Sequence, residues 1–132
     1  MTSLPVETLR SAALAVRPRA HAPYSKFQVG AAVLTANGEI FAGCNVENAS
    51  YGLTICAERV AIGTAVAAGH KEIVAVAVVS SGGHSPCGAC RQVLSEFGPA
   101  MEVILIDADD PTKSRTTTLA TLLPEQFSSD AL

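Results

Sequence analysis

The sequence predicts an α/β fold of three layers, αβα, built on a central mixed sheet of about five strands. Three observations predict it. Two β-patterned stretches flank Asn37-Gly38, a strong hairpin turn. Two apolar runs, residues 73–80 and 101–106, have the composition of strands buried on both faces. Segments with helical spacing stand ahead of the hairpin and ahead of each apolar run. A hairpin followed by strands alternating with helices makes a mixed sheet covered on both sides.

Residues 5–16 read as a helix, because Pro5 suits a first turn and Leu9, Ala12, Ala13 and Val16 share one face. Residues 21–25 are loop, and residues 27–35 and 39–45 form the two hairpin strands. After a polar loop over 46–53, a helix runs from about Cys56 to Ala68 and stops at Gly69, with Thr54 as its expected cap. Residues 73–80 are the first buried strand, and Ser81-Gly82-Gly83 breaks it. A third helix is expected from Ser85-Pro86, a cap followed by a first-position proline, to Phe97-Gly98. Strand 101–106 follows, then loop 107–115, a short strand 116–118 and a helical turn 119–123 ahead of Pro124. No repeat, linker or low-complexity segment interrupts this order, so residues 1–132 read as a single domain.

Apolar residues make up 48% of the chain and charged residues 16%. In a small domain this balance implies apolar surface buried against other subunits, although abundant alanine accounts for part of it. The formal net charge is −3 and no basic run exists. That disfavours nucleic acid as a partner, since binding a polyanion needs clustered Lys and Arg to displace counterions. A small neutral substrate fits better. The opening residues lack a basic stretch leading into an apolar core, so no secretory leader is expected. No apolar run is long enough to span a bilayer, so no membrane partner is expected either. The expected location is the cytoplasm, where the four cysteines stay reduced and point to metal or catalysis rather than to disulfides.

The cysteines lie in Cys56-Ala57-Glu58 and Pro86-Cys87-Gly88-Ala89-Cys90, with Cys44 apart. Three thiolates can hold a zinc ion and leave its fourth position open for water, while an adjacent carboxylate moves that water's protons. This is the layout of a hydrolytic zinc site, and it resembles the zinc deaminase signature. Cys87 and Cys90 share one face at a helix start. A lone C-x-x-C also serves redox proteins and structural zinc, but a thioredoxin-like dithiol leaves Cys56 and Glu58 without a purpose. Cys56 and Glu58, two apart, can address one site only from the first turn of a helix. A carboxylate there can equally serve to stabilise the helix N-terminus.

Three thiolates leave a zinc cluster at net −1, which weakens its power to acidify water. Two helix N-termini offset part of that charge, and Arg59 can hydrogen-bond the thiolates. Arg91 can act similarly or form ordinary surface ion pairs. His84 as a fourth ligand would close the coordination sphere, though its Gly-rich loop favours solvent. Cys44 reads as a small buried residue at a strand end. A structural zinc site using all four cysteines is the main rival on metal chemistry.

Four stretches carry a family resemblance: Ala22-Pro23-Tyr24-Ser25-Lys26-Phe27-Gln28-Val29-Gly30-Ala31-Ala32, Gly43-Cys44-Asn45-Val46-Glu47-Asn48-Ala49-Ser50-Tyr51, Cys56-Ala57-Glu58-Arg59 and Pro86-Cys87-Gly88-Ala89-Cys90-Arg91-Gln92. In this order and spacing the chain resembles the small, homotetrameric type of cytidine deaminase, from the first helix to Leu122-Leu123-Pro124. The resemblance implies hydrolysis of cytidine and deoxycytidine to the uridines and ammonia, in pyrimidine salvage. It implies Cys56, Cys87 and Cys90 as ligands of one Zn²⁺ per chain, Glu58 as the proton shuttle and Arg59 as charge compensation. It further implies Phe27 stacked on the pyrimidine, the backbone near Ala57 and Glu58 meeting the base, and Asn45 and Glu47 holding the ribose hydroxyls. Phe127 looks like the C-terminal aromatic that reaches a neighbouring subunit's site. Tyr24 and Tyr51 resemble positions near the site and the subunit contacts.

A deaminase of another substrate, such as blasticidin S or a free base, would share the zinc pattern. Asn45-Val46-Glu47-Asn48 favours a nucleoside, because the blasticidin S type lacks the glutamate at the position of Glu47. No phosphate-cradling glycine loop or Lys/Arg cluster accompanies the site, which disfavours a nucleotide. The rival from another class is a non-catalytic module stabilised by zinc.

Overall fold

Residues 4–132 are described in a computed structural model of the chain. The elements are α1 (Val6–Val16), β1 (Gly30–Thr35), β2 (Ile40–Cys44), α2 (Ala57–Ala67), β3 (Ile73–Ser80), α3 (Gly88–Phe97), β4 (Glu102–Asp107), β5 (Ser114–Thr118) and the single turn α4 (Leu119–Leu122). The strands lie in the order β2-β1-β3-β4-β5. Only β3 and β4 run parallel; the other neighbours are antiparallel. The mixed five-stranded sheet agrees with the expectation. Met1–Ser3, on which the leader expectation partly rests, lie outside the described residues. None of the described helices is long and apolar enough to cross a membrane.

Alternation along the strands makes the three layers. Ala32, Leu34, Ala75, Ala77, Val79, Ile104 and Ile106 face one side, where Leu9 and Ala13 of α1 cover them. Ala31, Val33, Val76, Val78, Val103 and Leu105 face the other, against Ala57, Ala61, Ile62 and Ala65 of α2 and Leu94 of α3. Small residues dominate where α2 meets the sheet. Gly43 shows why: a Cβ there would sit 2.3 Å from the Ala61 nitrogen and 2.9 Å from the Ala57 carbonyl. The glycine lets the helix lie directly on β2.

The hairpin turns at Asn37-Gly38, with Gly38 at φ +89° and the Thr35 N–H donating to the Glu39 carbonyl at 2.8 Å. Its first strand starts at Gly30, three residues after the expected start at Phe27. The cause is the Asn45 side chain, which takes the Val29 N–H and the Phe27 carbonyl that a strand partner would have used. The third helix also begins later than Ser85-Pro86, with Cys87 in the extended conformation ahead of it. The last strand opens at Ser114 rather than Thr116, because residues 114–118 pair continuously with β4.

Candidate active site and metal centre

Two helix mouths meet beside the C-terminal end of β3, the middle strand of the sheet. Cys56 (φ −71°, ψ 154°) precedes α2 and Cys87 (φ −67°, ψ 169°) precedes α3, both in the half-in position at a helix start. Neither side chain caps its own helix, so both sulfurs are free to turn toward the same point. The unpaired N–H groups and the dipole of each helix favour negative charge there. Thr54 and Ser85, the expected caps, each stand two residues ahead of the cysteine that takes the cap position. The Thr54 carbonyl accepts from Arg59 Nη2 at 3.3 Å, and the Ser85 hydroxyl accepts from Arg91 Nη2 at 3.0 Å.

The Sγ atoms of Cys56, Cys87 and Cys90 all lie within 4.8 Å of one another, the one such group of potential metal ligands among the described residues. Neither Cys44 nor His84 joins it, which removes the all-cysteine site and the His84-closed site. None of the four cysteines is in a disulfide. The donor set fits zinc: three soft sulfurs, held within a limit that admits the roughly 3.8 Å that tetrahedral thiolates about 2.3 Å from an ion require. The electrostatics point the same way. The Cys90 thiol and the Arg59 guanidinium, whose Nη2 lies 3.7 Å from Cys56 Sγ, hold Cys56 as a thiolate at about 5. The hydrogen bond to Cys56 and burial push the Cys90 thiol upward. Anion crowds anion, and a cation among the sulfurs resolves the conflict.

Glu58 is 5% exposed, and burial pushes its carboxyl above the usual range, with the Cys56 thiolate adding to the effect. It borders a cavity of about 180 Å³ together with Cys56, Ala57, Phe27, Val29, Asn45, Thr54, Val78, Ser80, His84 and Ser85. Phe27 is 40% exposed, so the cavity has a polar, buried floor and an aromatic rim. The sequence brought Phe27, Asn45, Cys56, Ala57 and Glu58 to attention, and all five line this slot. It gave His84 and Thr54 other roles. Their signal was position: each stands two or three residues before a metal-binding cysteine.

Glu47 lies next door. With Tyr24, Ser25, Tyr51 and Thr54 it lines a second hollow of about 410 Å³, and Thr54 belongs to both. The backbone N–H groups of Tyr24 and Ser25 donate to Glu47 Oε1 at 3.0 and 3.2 Å, and the Ser25 hydroxyl donates to Oε2. These bonds, the hydroxyl's foremost, hold the Glu47 carboxyl below its usual value. Tyr24 and Tyr51 pack together with ring centroids 5.6 Å apart. Phe127 lines neither hollow; it is exposed, with its carbonyl accepting from Gln92 at 3.2 Å. Arg91, expected to serve the thiolates or the surface, does neither. It donates to the carbonyls of Pro86 and Leu122, both at 2.8 Å, and so ties the Cys87 loop to the C-terminal segment.

Comparison with known proteins agrees with this geometry. The family model described as the cytidine and deoxycytidylate deaminase zinc-binding region matches residues 5–106. A cytidine deaminase of Sporosarcina psychrophila is 46% identical over 130 residues, covering 96% of this chain and 94% of its own. The crystal structure of cytidine deaminase from Burkholderia pseudomallei superimposes with a TM-score of 0.86 at 49% identity, over 96% of this chain and 100% of that one. That from Mycobacterium tuberculosis gives 0.81 at 40% identity, over 96% and 99%. With the family model matched over residues 5–106 and nearly the whole fold in common, the chain belongs to the cytidine and deoxycytidylate deaminase family of zinc-binding hydrolases.

Proposed function

We propose that the chain hydrolyses cytidine and deoxycytidine to uridine and deoxyuridine with release of ammonia. One observation carries this reading: a buried carboxyl, Glu58, lies beside three convergent sulfurs on the floor of a slot rimmed by Phe27. Cys56, Cys87 and Cys90 hold one Zn²⁺ per chain. When bound, the ion supplies a Lewis acid that lets a water ionise near neutral pH at the open fourth position.

Glu58 is the proton shuttle. It takes a proton from the attacking water, delivers it to ring N3, and later carries one to the departing amine. A C4–O bond forms, the C4–N bond breaks, and the nitrogen leaves as ammonia. A carboxyl raised by burial can both accept and donate in this way. Arg59 spreads the excess negative charge of the sulfurs through Cys56.

Phe27 stacks on the pyrimidine, and the backbone at Ala57 and Glu58 meets its polar edge. The two adjoining hollows match the two halves of a nucleoside, the slot floored by Glu58 for the base and the one carrying Glu47 and Ser25 for the sugar. Glu47 accepts from a ribose hydroxyl. Asn45 has one N–H and one lone pair beyond those given to Phe27 and Val29, and they are available to the sugar. The large apolar side chains of Tyr51, Leu53, Ile55 and Phe127 are exposed. They support a homotetramer with the sites near subunit contacts, in which Phe127 reaches a neighbour's site. Pyrimidine salvage in the cytoplasm is the accompanying role.

The test is the ultraviolet absorbance of cytidine mixed with the purified protein, alongside total zinc. Loss of the cytosine band with one zinc per chain is expected, and E58Q should lower turnover by at least ~10²-fold with zinc retained. Zinc without turnover of cytidine redirects attention to other deaminase substrates.

A further inference from the structure

The loop between β3 and α3 does more than connect them. It brings His84 to the slot from the side opposite in sequence to Phe27, and both rings line the same cavity. Their centroids are 6.2 Å apart and their planes tilted by 48°, within the range of interacting aromatic pairs. Phe27 and His84 are exposed while Glu58 is buried. The two rings therefore meet at the mouth, with the carboxyl beneath them.

The backbone that carries the imidazole is held in place. The His84 backbone N–H donates to the hydroxyl of Ser80, a residue only 2% exposed, at 3.0 Å. The turn before it is held by Asp107 Oδ1, which accepts from the Gly82 N–H at 3.0 Å. Gly82 adopts φ +90°, and a Cβ there would meet the imidazole Nε2 at 2.9 Å. The ring thus has its Nε2 edge against a bare backbone and stands beside Phe27, tilted to it.

We propose that His84 is a substrate-contacting residue, the second aromatic wall of the base slot, which with Phe27 selects a flat heterocycle. The inference rests on the nucleoside reading given above. His84 acts by contact of its ring with the base and is not a metal ligand, so its loss weakens binding without touching zinc.

The experiment compares wild type, H84A, H84F and G82A, each as the intact zinc-loaded protein. It measures kcat and KM for cytidine, the dissociation constant of uridine by calorimetry, and zinc per chain. H84A is expected to raise KM and the uridine constant by about fivefold or more, the scale of one base–aromatic contact, with kcat and zinc nearly unchanged. H84F should restore both constants. G82A, which displaces the imidazole while keeping it, should raise them; it also serves if H84A fails to fold. Unchanged constants in H84A and G82A, no rescue by H84F, or zinc loss in H84A would each overturn the assignment. Wild-type protein that neither hydrolyses cytidine nor binds uridine overturns the nucleoside reading itself. Active wild type with an indifferent H84A overturns the role of His84 alone.

Discussion

The Asn45 amide donates to the Phe27 carbonyl at 2.8 Å while accepting from the Val29 N–H at 2.9 Å. One side chain thus does the work of a strand partner for the segment carrying the slot's aromatic rim. Asn45 is 7% exposed, so N45A leaves two backbone groups without partners away from water. A loss of about 1–3 kcal/mol is expected for such groups. Denaturant titration reads it, and KM should rise while zinc per chain holds.

Gly43 carries a prediction about placement. The 2.3 Å approach of its missing Cβ to the Ala61 nitrogen is to helix backbone, which cannot yield as a side chain would. G43A should force α2 away from β2, at a cost of about 1–3 kcal/mol or more. Because α2 begins beside Cys56 and Glu58, turnover should fall together with Tm.

Zinc removal should act on stability as well as on chemistry. Stripping the protein with a strong chelator is expected to abolish turnover and lower Tm, with both restored by zinc. Magnesium should restore neither, because three thiolates suit a soft ion and not a hard one. Calorimetry with paired activity assays checks it.

Asp107 supplies a pH signature at the His84 loop. The N–H groups of Asp109 and Gly82 donate to its carboxylate and hold its pKa below the usual value. A folded-state pKa below the unfolded one stabilises the protein above the unfolded value near ~3.9. That contribution is lost as pH falls through the folded value. D107N should therefore lower Tm at pH 7, and its gap from wild type should narrow as the pH drops below ~4. A thermal-shift series across that interval measures the gap.

Much of this was legible in the residues themselves. Ile73–Ser80 appears as a strand at the expected bounds because an apolar run buried on both faces has no competing pattern. The cluster of Cys56, Cys87 and Cys90 was legible because donor type and spacing are local properties. What escaped was decided by contacts distant in sequence. The start of β1 depends on Asn45, eighteen residues beyond Phe27. The employment of Ser85 depends on Arg91, whose guanidinium also reaches Leu122. His84 had the composition of a solvated loop residue, and only the fold of Ser80–Gly82–Asp107 turns its ring toward Phe27.

The cysteines at the two helix mouths have a bearing on assembly of the chain itself. Between Cys56 and Cys87 runs β3, the middle strand of the sheet. An ion gripped at both mouths closes a chelate ring around the strand on which the other strands assemble, and removes from the unfolded ensemble the freedom of that whole stretch. Metal affinity and cohesion of the sheet are then one linked equilibrium. A substitution that loosens β3, far from any sulfur, should be felt as faster escape of the ion.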